Sequence, residues 1–311
     1  MKNPMRLTRL GAAMACLWLG LALASTGSIA ATLSPSQATP MAHLRNHDMQ
    51  IDLGTDQLSV SLIAPGIVHM QIRHEGEANP PTLVIDHDNA HPAFAHVHTD
   101  DTASGVSITS THGSIRWDKQ HRELQIDDAQ QHRLLQLDLA SLQRGELILQ
   151  HEPHDALYGI SGYNATENAS AGMLRQGTQM AIAGEQGHAG APFVWSTAGY
   201  GVLLDSDGAA FTLKPGTIGA SGTARKHLDY YILIGAPTQI FTALAQLSGR
   251  TPLFPKWAMG FTNSQWGIDQ KELLQIVDTY RAKHIPIDNV TLDFDWKAWG
   301  EDDYGEFRWN A

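Results

Sequence analysis

Residues 255–296 read as strand, crossover helix, strand, and this arrangement constrains the chain more than any other stretch. A strand over 256–262 (Lys256-Trp257-Ala258-Met259-Gly260-Phe261-Thr262) precedes a helix with Asp269 as N-cap and Glu272 three residues on, a capping-box pattern. Leu273, Ile276, Val277 and Tyr280 form its buried stripe, Lys283 and His284 sit at its negative pole, and Pro286 forbids continuation. The second strand runs over 290–296. A crossover of this kind joins parallel neighbours, and a parallel sheet is covered on both faces. Val290, Leu292 and Phe294 alternate with Thr291, Asp293 and Asp295, so two carboxylates share one face near the strand's C-terminal end. Carboxylates in apolar packing need partners, so the pair predicts a polar pocket at that end, where βα barrels keep their sites. Fifteen residues follow Trp296, and the expectation is an unfinished barrel with unpaired, aggregation-prone edges.

Lys2, Arg6 and Arg9 precede an apolar run over 10–24, and Ser28-Ile29-Ala30 follows with small residues at a cleavage position. Residues 1–30 therefore read as a signal peptide, too short and wrongly flanked for a membrane anchor. Export is the expected localisation, and no later run is long enough to span a bilayer. Cys16, inside that run, is the sole cysteine, so stability must come from a large core and not from disulfides. The formal charge of −11 becomes −14 once a segment with three cations and no acid is set aside. An acidic surface disfavours nucleic acid and anionic lipid and suits neutral ligands such as sugars. Residues 31–50, polar and turn-rich, read as a poorly ordered lead-in.

Over 51–236 the pattern is short alternating segments punctuated by turns, the signature of a β-sandwich. Leu58 to Ile63 runs into Ala64-Pro65-Gly66, and Val68 to Ile72 returns. Ile115-Arg116-Trp117 and Leu124-Gln125-Ile126 form one hairpin; 135–139, 200–204 and 230–234 continue the series. His87, His91, His96 and His98 lie close to Asp86 and Asp88, but no spacing matches a metal-ligand frame, so neither metal nor organic cofactor is expected. Gly159-Ile160-Ser161-Gly162 is not followed by a helix that could hold a phosphate. A long irregular stretch over 175–191 offers Glu185 and His188 as groups able to reach a ligand. Pro237 opens a linking helix that Gly249 closes, and a connector to 254 leads into the first barrel strand.

An ordered set of motifs extends this reading. It comprises Leu157-Tyr158-Gly159-Ile160, Pro192-Phe193, Gly199-Tyr200-Gly201-Val202-Leu203, Asp229-Tyr230-Tyr231, Gly249-Arg250-Thr251-Pro252-Leu253-Phe254-Pro255-Lys256-Trp257-Ala258-Met259-Gly260-Phe261, Ile285-Pro286-Ile287-Asp288, Leu292-Asp293-Phe294-Asp295-Trp296 and Phe307-Arg308-Trp309-Asn310. In this order the motifs resemble glycoside hydrolase family 31, the α-glucosidases and α-xylosidases. The resemblance implies a galactose-mutarotase-like β-sandwich over 51–236, a linking segment over 237–254 and the first strands of an incomplete (β/α) barrel over 255–311. It implies a retaining mechanism whose nucleophile and acid/base belong to later strands, so none of the residues here takes those catalytic roles. By position Asp293 resembles the family's aspartate that accepts hydrogen bonds from sugar hydroxyls, a task suited to a carboxylate. Asp295 stands beside it, and Gln265 and Trp266 follow the first strand where the family places an aromatic wall. Trp296 and Trp299 could serve likewise, and the Glu185 loop resembles one that reaches the active site.

Three functions fit this pattern: an exported α-glycosidase acting on oligosaccharides or glycosides, a non-catalytic carbohydrate-binding sandwich, and a mutarotase-like epimerase. The last needs a histidine and a carboxylate converging in the sandwich.

Overall fold

Alternation in the first two thirds of the chain builds two antiparallel sheets. The structure is a computed structural model describing residues 40–74, 82, 84–86, 97–162, 179–181, 189–206, 208–222, 228–293, 296–298 and 307–309. The first sheet has the spatial order β1 (Met41–Arg45), β2 (Asp48–Asp52), β3 (Asp56–Ala64), β4 (Ile67–His74), β17 (Asp229–Ile234), β14 (Tyr200–Leu204), β13 (Ala189–Ser196), β11 (Leu157–Gly162). The second runs β12 (Gln179–Ala181), β15 (Ala210–Lys214), β16 (Thr217–Ser221), β10 (Leu147–Gln150), β9 (Arg133–Leu137), β8 (Glu123–Asp128), β7 (Gly113–Asp118), β6 (Gly105–Thr109), β5 (His98–Asp101). A separate parallel pair, β18 (Thr262–Gln265) and β19 (Asn289–Leu292), flanks helix α3 (Gln270–Ala282).

The two large sheets share one core. Leu58, Val60 and Leu62 of β3 and Val68, Met70 and Ile72 of β4 join Ile115 and Trp117 of β7, Leu124 and Ile126 of β8, and Leu135 and Leu137 of β9. Each alternates with side chains on the outer face, as strands half-covered by a core require. The expected hairpin forms in register, Ile115 opposite Ile126 and Trp117 opposite Leu124.

β14 and most of β17 break the alternation, because every residue of the first and five of the six in the second are buried. Their outer face is covered by α2 (Pro237–Ser248), whose Ile240, Ala243 and Leu247 pack on Phe193, Leu203, Tyr231 and Leu233. Each large side chain in that layer contributes about 1.5–3 kcal/mol on burial. Pro237 occupies the first turn, the Gln239 side chain accepts from the Ala236 amide at 2.8 Å, and Gly249 at φ 81° ends the helix. Gly201 lies beneath the helix: a Cβ there would lie 2.9 Å from the Phe193 ring and 3.0 Å from Ile240 Cγ2.

Several expectations are corrected. Residues 41–50, read as a loose lead-in, form β1 and most of β2, because Met49 and Ile51 are buried in the core. The segment 135–139 is not one strand. β9 ends at Leu137, and Asp138 caps a short helix, α1 (Leu139–Gln143), accepting from the Ala140 and Ser141 amides. Within 175–191, read as irregular, 179–181 pairs with β15 and 189–191 opens β13. The strand expected over 256–262 is a 3₁₀ turn over Lys256–Met259 followed by β18, because the parallel partner β19 begins opposite Thr262. β19 stops at Leu292, although the Asp293 amide still donates to the Gln265 carbonyl at 3.0 Å. Leu273, Ile276, Val277 and Tyr280 do form the inward stripe of α3, but they are half-buried, since two strands cover a helix incompletely. The signal segment 1–30 lies outside the described residues.

A Gly201→Val substitution should push α2 away from β14. The expected cost is about 1–3 kcal/mol, the usual range for overpacking, read as a lowered midpoint in denaturant unfolding.

Candidate functional site

The parity of two short strands decides which groups meet. Asn263 Nδ2 donates to the Tyr280 hydroxyl on α3 at 3.3 Å, and Gln265 Nε2 donates to Asn263 Oδ1 at 2.8 Å. Asn263 and Gln265 thus belong to the face that α3 covers. In register, Asn263 lies opposite Val290, Ser264 opposite Thr291 and Gln265 opposite Leu292. Ser264, Thr291 and, one residue beyond the ladder, Asp293 take the opposite parity and are exposed. Asp293 therefore stands at the C-terminal tip of the parallel pair on the face turned away from α3.

Asp288 supports that tip from below. Its Oδ2 accepts from the Phe261 amide at 3.1 Å, while the Phe261 carbonyl accepts from the amides of Asp288 (3.0 Å) and Asn289 (3.2 Å). The carboxylate lies where a side chain on residue 260 would be: a Cβ at Gly260 would come within 2.1 Å of Asp288 Oδ2. Gly260 and Asp288, from two separate motifs, are one contact, and that contact sets where β18 starts. Phe261 also packs on Tyr280 with ring centroids 5.9 Å apart, which ties the same point to α3.

Aromatic groups gather around the tip. Trp266 follows β18 and is 66% exposed. Trp296 meets Trp309 edge-to-face at 5.2 Å and Phe307 at 6.2 Å, and Lys297 Nζ lies 5.3 Å from the Phe307 ring centre. An antiparallel bridge between Lys297 and Trp309 and an Ala298 N–H bond to the Arg308 carbonyl at 2.8 Å hold the two segments together. Sequence reading named Trp296 but not Phe307 or Trp309 as its companions; the aromatic spacing in Phe307-Arg308-Trp309 was the available signal.

Of the residues expected at the site, the structure places Asp293 at the strand tips, with Trp266 just beyond β18 and Trp296 just beyond Asp293. Gln265 is corrected: its amide is engaged in the seam with Asn263 and Tyr280, on the other face from Asp293, because it has the parity of Asn263. Asp295, Trp299, Glu185 and His188 lie outside the described residues, as do His87, His91 and His96. Among the described residues no three His, Cys, Asp or Glu side chains converge as a metal site would require.

The sandwich does bring a histidine and a carboxylate together. His69 Nε2 and Asp229 Oδ1 share a hydrogen bond of 2.6 Å, and Gln71 Nε2 donates to Asp229 Oδ2 at 2.7 Å. The His69 ring stacks on Tyr231 at 4.5 Å. Burial pushes the Tyr231 phenol up, and the Asp229 and Asp205 carboxylates add to the shift. An epimerase needs acid and base on opposite sides of a sugar's anomeric oxygens. Here the two groups are bonded directly to each other, so the carboxylate orients the imidazole and does not face it across a substrate.

The described chain is a two-sheet antiparallel sandwich followed by one parallel strand–helix–strand unit with an aspartate and tryptophans at its tip. Residues 251–311 match the family model described as "Glycosyl hydrolases family 31 TIM-barrel domain". A 1,6-alpha-glucosyltransferase of Sporosarcina globispora is 42% identical over 173 residues, which is 52% of this chain and 13% of that protein. An alpha-xylosidase of Saccharolobus solfataricus is 31% identical over 164 residues, 50% of this chain and 22% of that protein. Two solved structures share the fold. One is a GH31 dextranase of Flavobacterium johnsoniae complexed with glucose (TM-score 0.68, 18% identity, 88% of this chain and 35% of that one). The other is a GH31 alpha-xylosidase from a soil metagenome complexed with xylose (TM-score 0.68, 19% identity, 84% and 42%). The likeness to glycoside hydrolase family 31 is carried by residues 251–311 and by these relatives, and the matches span less than a quarter of the length of the two curated ones.

The Gly260–Asp288 contact makes a testable claim. Gly260→Ala should loosen the start of β18, lowering protection of the Phe261 and Asn289 amides in hydrogen exchange by about tenfold, on the order of 1–3 kcal/mol for an overpacked site. In an Asp288→Gly background the same substitution should cost little, and equal costs in both backgrounds would remove the contact from the account.

Proposed function

We propose that this chain is the N-terminal part of an exported retaining α-glycosidase acting on α-glucosides, with Asp293 holding the sugar. The observation that carries this reading is the exposed position of Asp293 at the tip of the parallel pair, on the face away from α3. In a (β/α) barrel begun by β18, α3 and β19, that face is the interior, and strand tips form the mouth where substrate binds. An ionised carboxylate there accepts bonds from two neighbouring hydroxyls of one sugar ring. The exposed indoles of Trp266 and Trp309 offer flat apolar surface for the C–H face of the ring, which stacks without giving up its hydroxyl bonds. The 42% match to a glucosyltransferase, against 31% for a xylosidase, favours a glucosyl unit.

The likeness to family 31 supplies the mechanism of this reading: one carboxylate attacks the anomeric carbon, a second protonates the leaving oxygen, and water or another sugar releases the covalent intermediate. None of the residues described here is assigned either of those two roles. Residues described here bind and orient. Export rests on Lys2, Arg6, Arg9 and the apolar run that follows them.

In an enzyme carrying the complete barrel, Asp293→Ala should lower kcat/KM on nitrophenyl α-glucoside by about 10²-fold or more, since each bond to a charged acceptor carries about 1.5–3 kcal/mol. Asp293→Asn should retain part of the activity, and circular dichroism should be unchanged in both. Wild-type kinetics in Asp293→Ala would end the assignment. The 311-residue chain alone should give no turnover of the α-glucoside or the α-xyloside, because two strands enclose no substrate.

A further inference from the structure

The outer face of the nine-stranded sheet carries a feature that only the strand register reveals. Gln150 lies opposite Gln136, Gln136 opposite Gln125, and Gln125 opposite Arg116. Beyond Gln150 the same row continues through Thr217 to Lys214; beyond Arg116 it continues through Ser107 to Asp100. Eight adjacent strands thus contribute one polar side chain each to a single line, with strands about 4.8 Å apart and a total span of roughly 34 Å. Seven of the eight have a buried core residue as a neighbour in the strand and so face outward, and Asp100, in the exposed edge strand β5, extends the row.

The row is pre-set in part. Arg116 Nη2 donates to Gln125 Oε1 at 3.4 Å, and Arg133 Nη1 donates to Gln136 Oε1 at 2.9 Å, which fixes two amide planes. Arg116 is itself anchored through Nε to the buried Asp127 carboxylate. Three hollows follow the line. One of about 240 Å³ surrounds Ser107, Arg116 and Gln125; another of about 240 Å³ lies by Arg133, Gln150 and Thr217. The third, about 430 Å³, sits over Gly219, with Ile148 and Thr212 opposite it on either side and Lys214 at one end. There the absent side chain of Gly219 leaves room above the sheet, and the half-buried Ile148 supplies an apolar wall.

We propose that this row is a track for a linear neutral α-glucan, separate from the strand-tip site. The ligand class follows from the chemistry of the face. A primary amide both donates and accepts, as does a hydroxyl, and a polysaccharide is the ligand whose every repeat does both. The charges on this face are mixed: Arg116, Arg133 and Lys214 are offset by Asp100, Glu123, Glu146 and Glu152. Such a face has no net attraction for a polyanion. Among the described residues, none of the large exposed apolar side chains lies on these strands, so a protein partner would find no apolar anchor. A pyranose ring is about as long as the spacing between strands, which lets successive sugars meet successive side chains. The α-glucan class rests on the functional reading above; the location does not. In an enzyme acting on polymers, such a track would hold the chain while its end reaches the catalytic site.

The test is affinity electrophoresis of the 311-residue chain in native gels with dextran, soluble starch or no polysaccharide, and with heparin as the polyanion control. Retardation by dextran or starch but not by heparin is expected. Gln136→Ala with Gln150→Ala should cut that retardation at least fivefold, and Gly219→Val, which fills the largest hollow with a strand-favouring residue, should do the same. Asp293→Ala reports separately on the strand tips, and Gln57→Ala, on β3 of the other sheet, should leave the retardation unchanged. Thermal melts identify any variant that fails to fold, and the exposed single variant Gln150→Ala then carries the comparison. No retardation of the wild type, or retardation that survives both sheet variants, would overturn the track. Loss only in Asp293→Ala would place the binding at the strand tips instead, supporting the functional reading while removing this one.

Discussion

The parallel ladder between β18 and β19 is the constraint from which the functional account follows. Parallel pairing with α3 on one side assigns every residue of both strands to a face. Asn263 and Gln265 go to the helix side and bond there. Ser264, Thr291 and Asp293 go to the other. A slip of one residue would exchange the two sets and bury Asp293 against Tyr280. The Asp288 carboxylate, placed where a side chain on residue 260 would be and bonded to the Phe261 amide, works against such a slip.

The sandwich solves a different problem. Its two sheets share a large core, which suits a chain with one cysteine and therefore no internal disulfide. The two outer faces have unlike fates. One is covered by α2 over β13, β14 and β17, where β14 and β17 are buried on both sides; the other is lined with amides, hydroxyls and charges in register. A third environment lies in 253–309, where Leu253, Trp257, Met259, Phe261, Trp266, Phe307 and Trp309 are each at least half exposed. Exposed apolar surface on this scale marks a face suited to packing against something else.

Much of this could be read from the sequence where one physical rule acts alone. Alternation located β3, β4, β7 and β8 because each has one face in the core. Asp269 and Glu272 located the start of α3, and Asp269 does accept from the Glu272 amide at 2.7 Å. Reading failed where two rules compete or where partners are distant. Asp138 could have extended β9, but its side chain serves better as a helix cap. Trp257 and Met259 suggested a strand, yet pairing begins only where β19 offers a partner. Gln265 follows the right strand but has the wrong parity, and parity depends on the position of α3. The glutamine row links residues as far apart in sequence as Gln150 and Thr217, and no local pattern contains it.

The central claim is that Asp293 meets a sugar at the strand tips on the face opposite α3. A crystal structure of the enzyme with its complete barrel, soaked with glucose, tests it directly. The account predicts an Asp293 carboxylate oxygen within about 3 Å of a ring hydroxyl, with Gln265 still bonded to Asn263. A carboxylate turned onto α3, or glucose bound with no contact to Asp293, would contradict it.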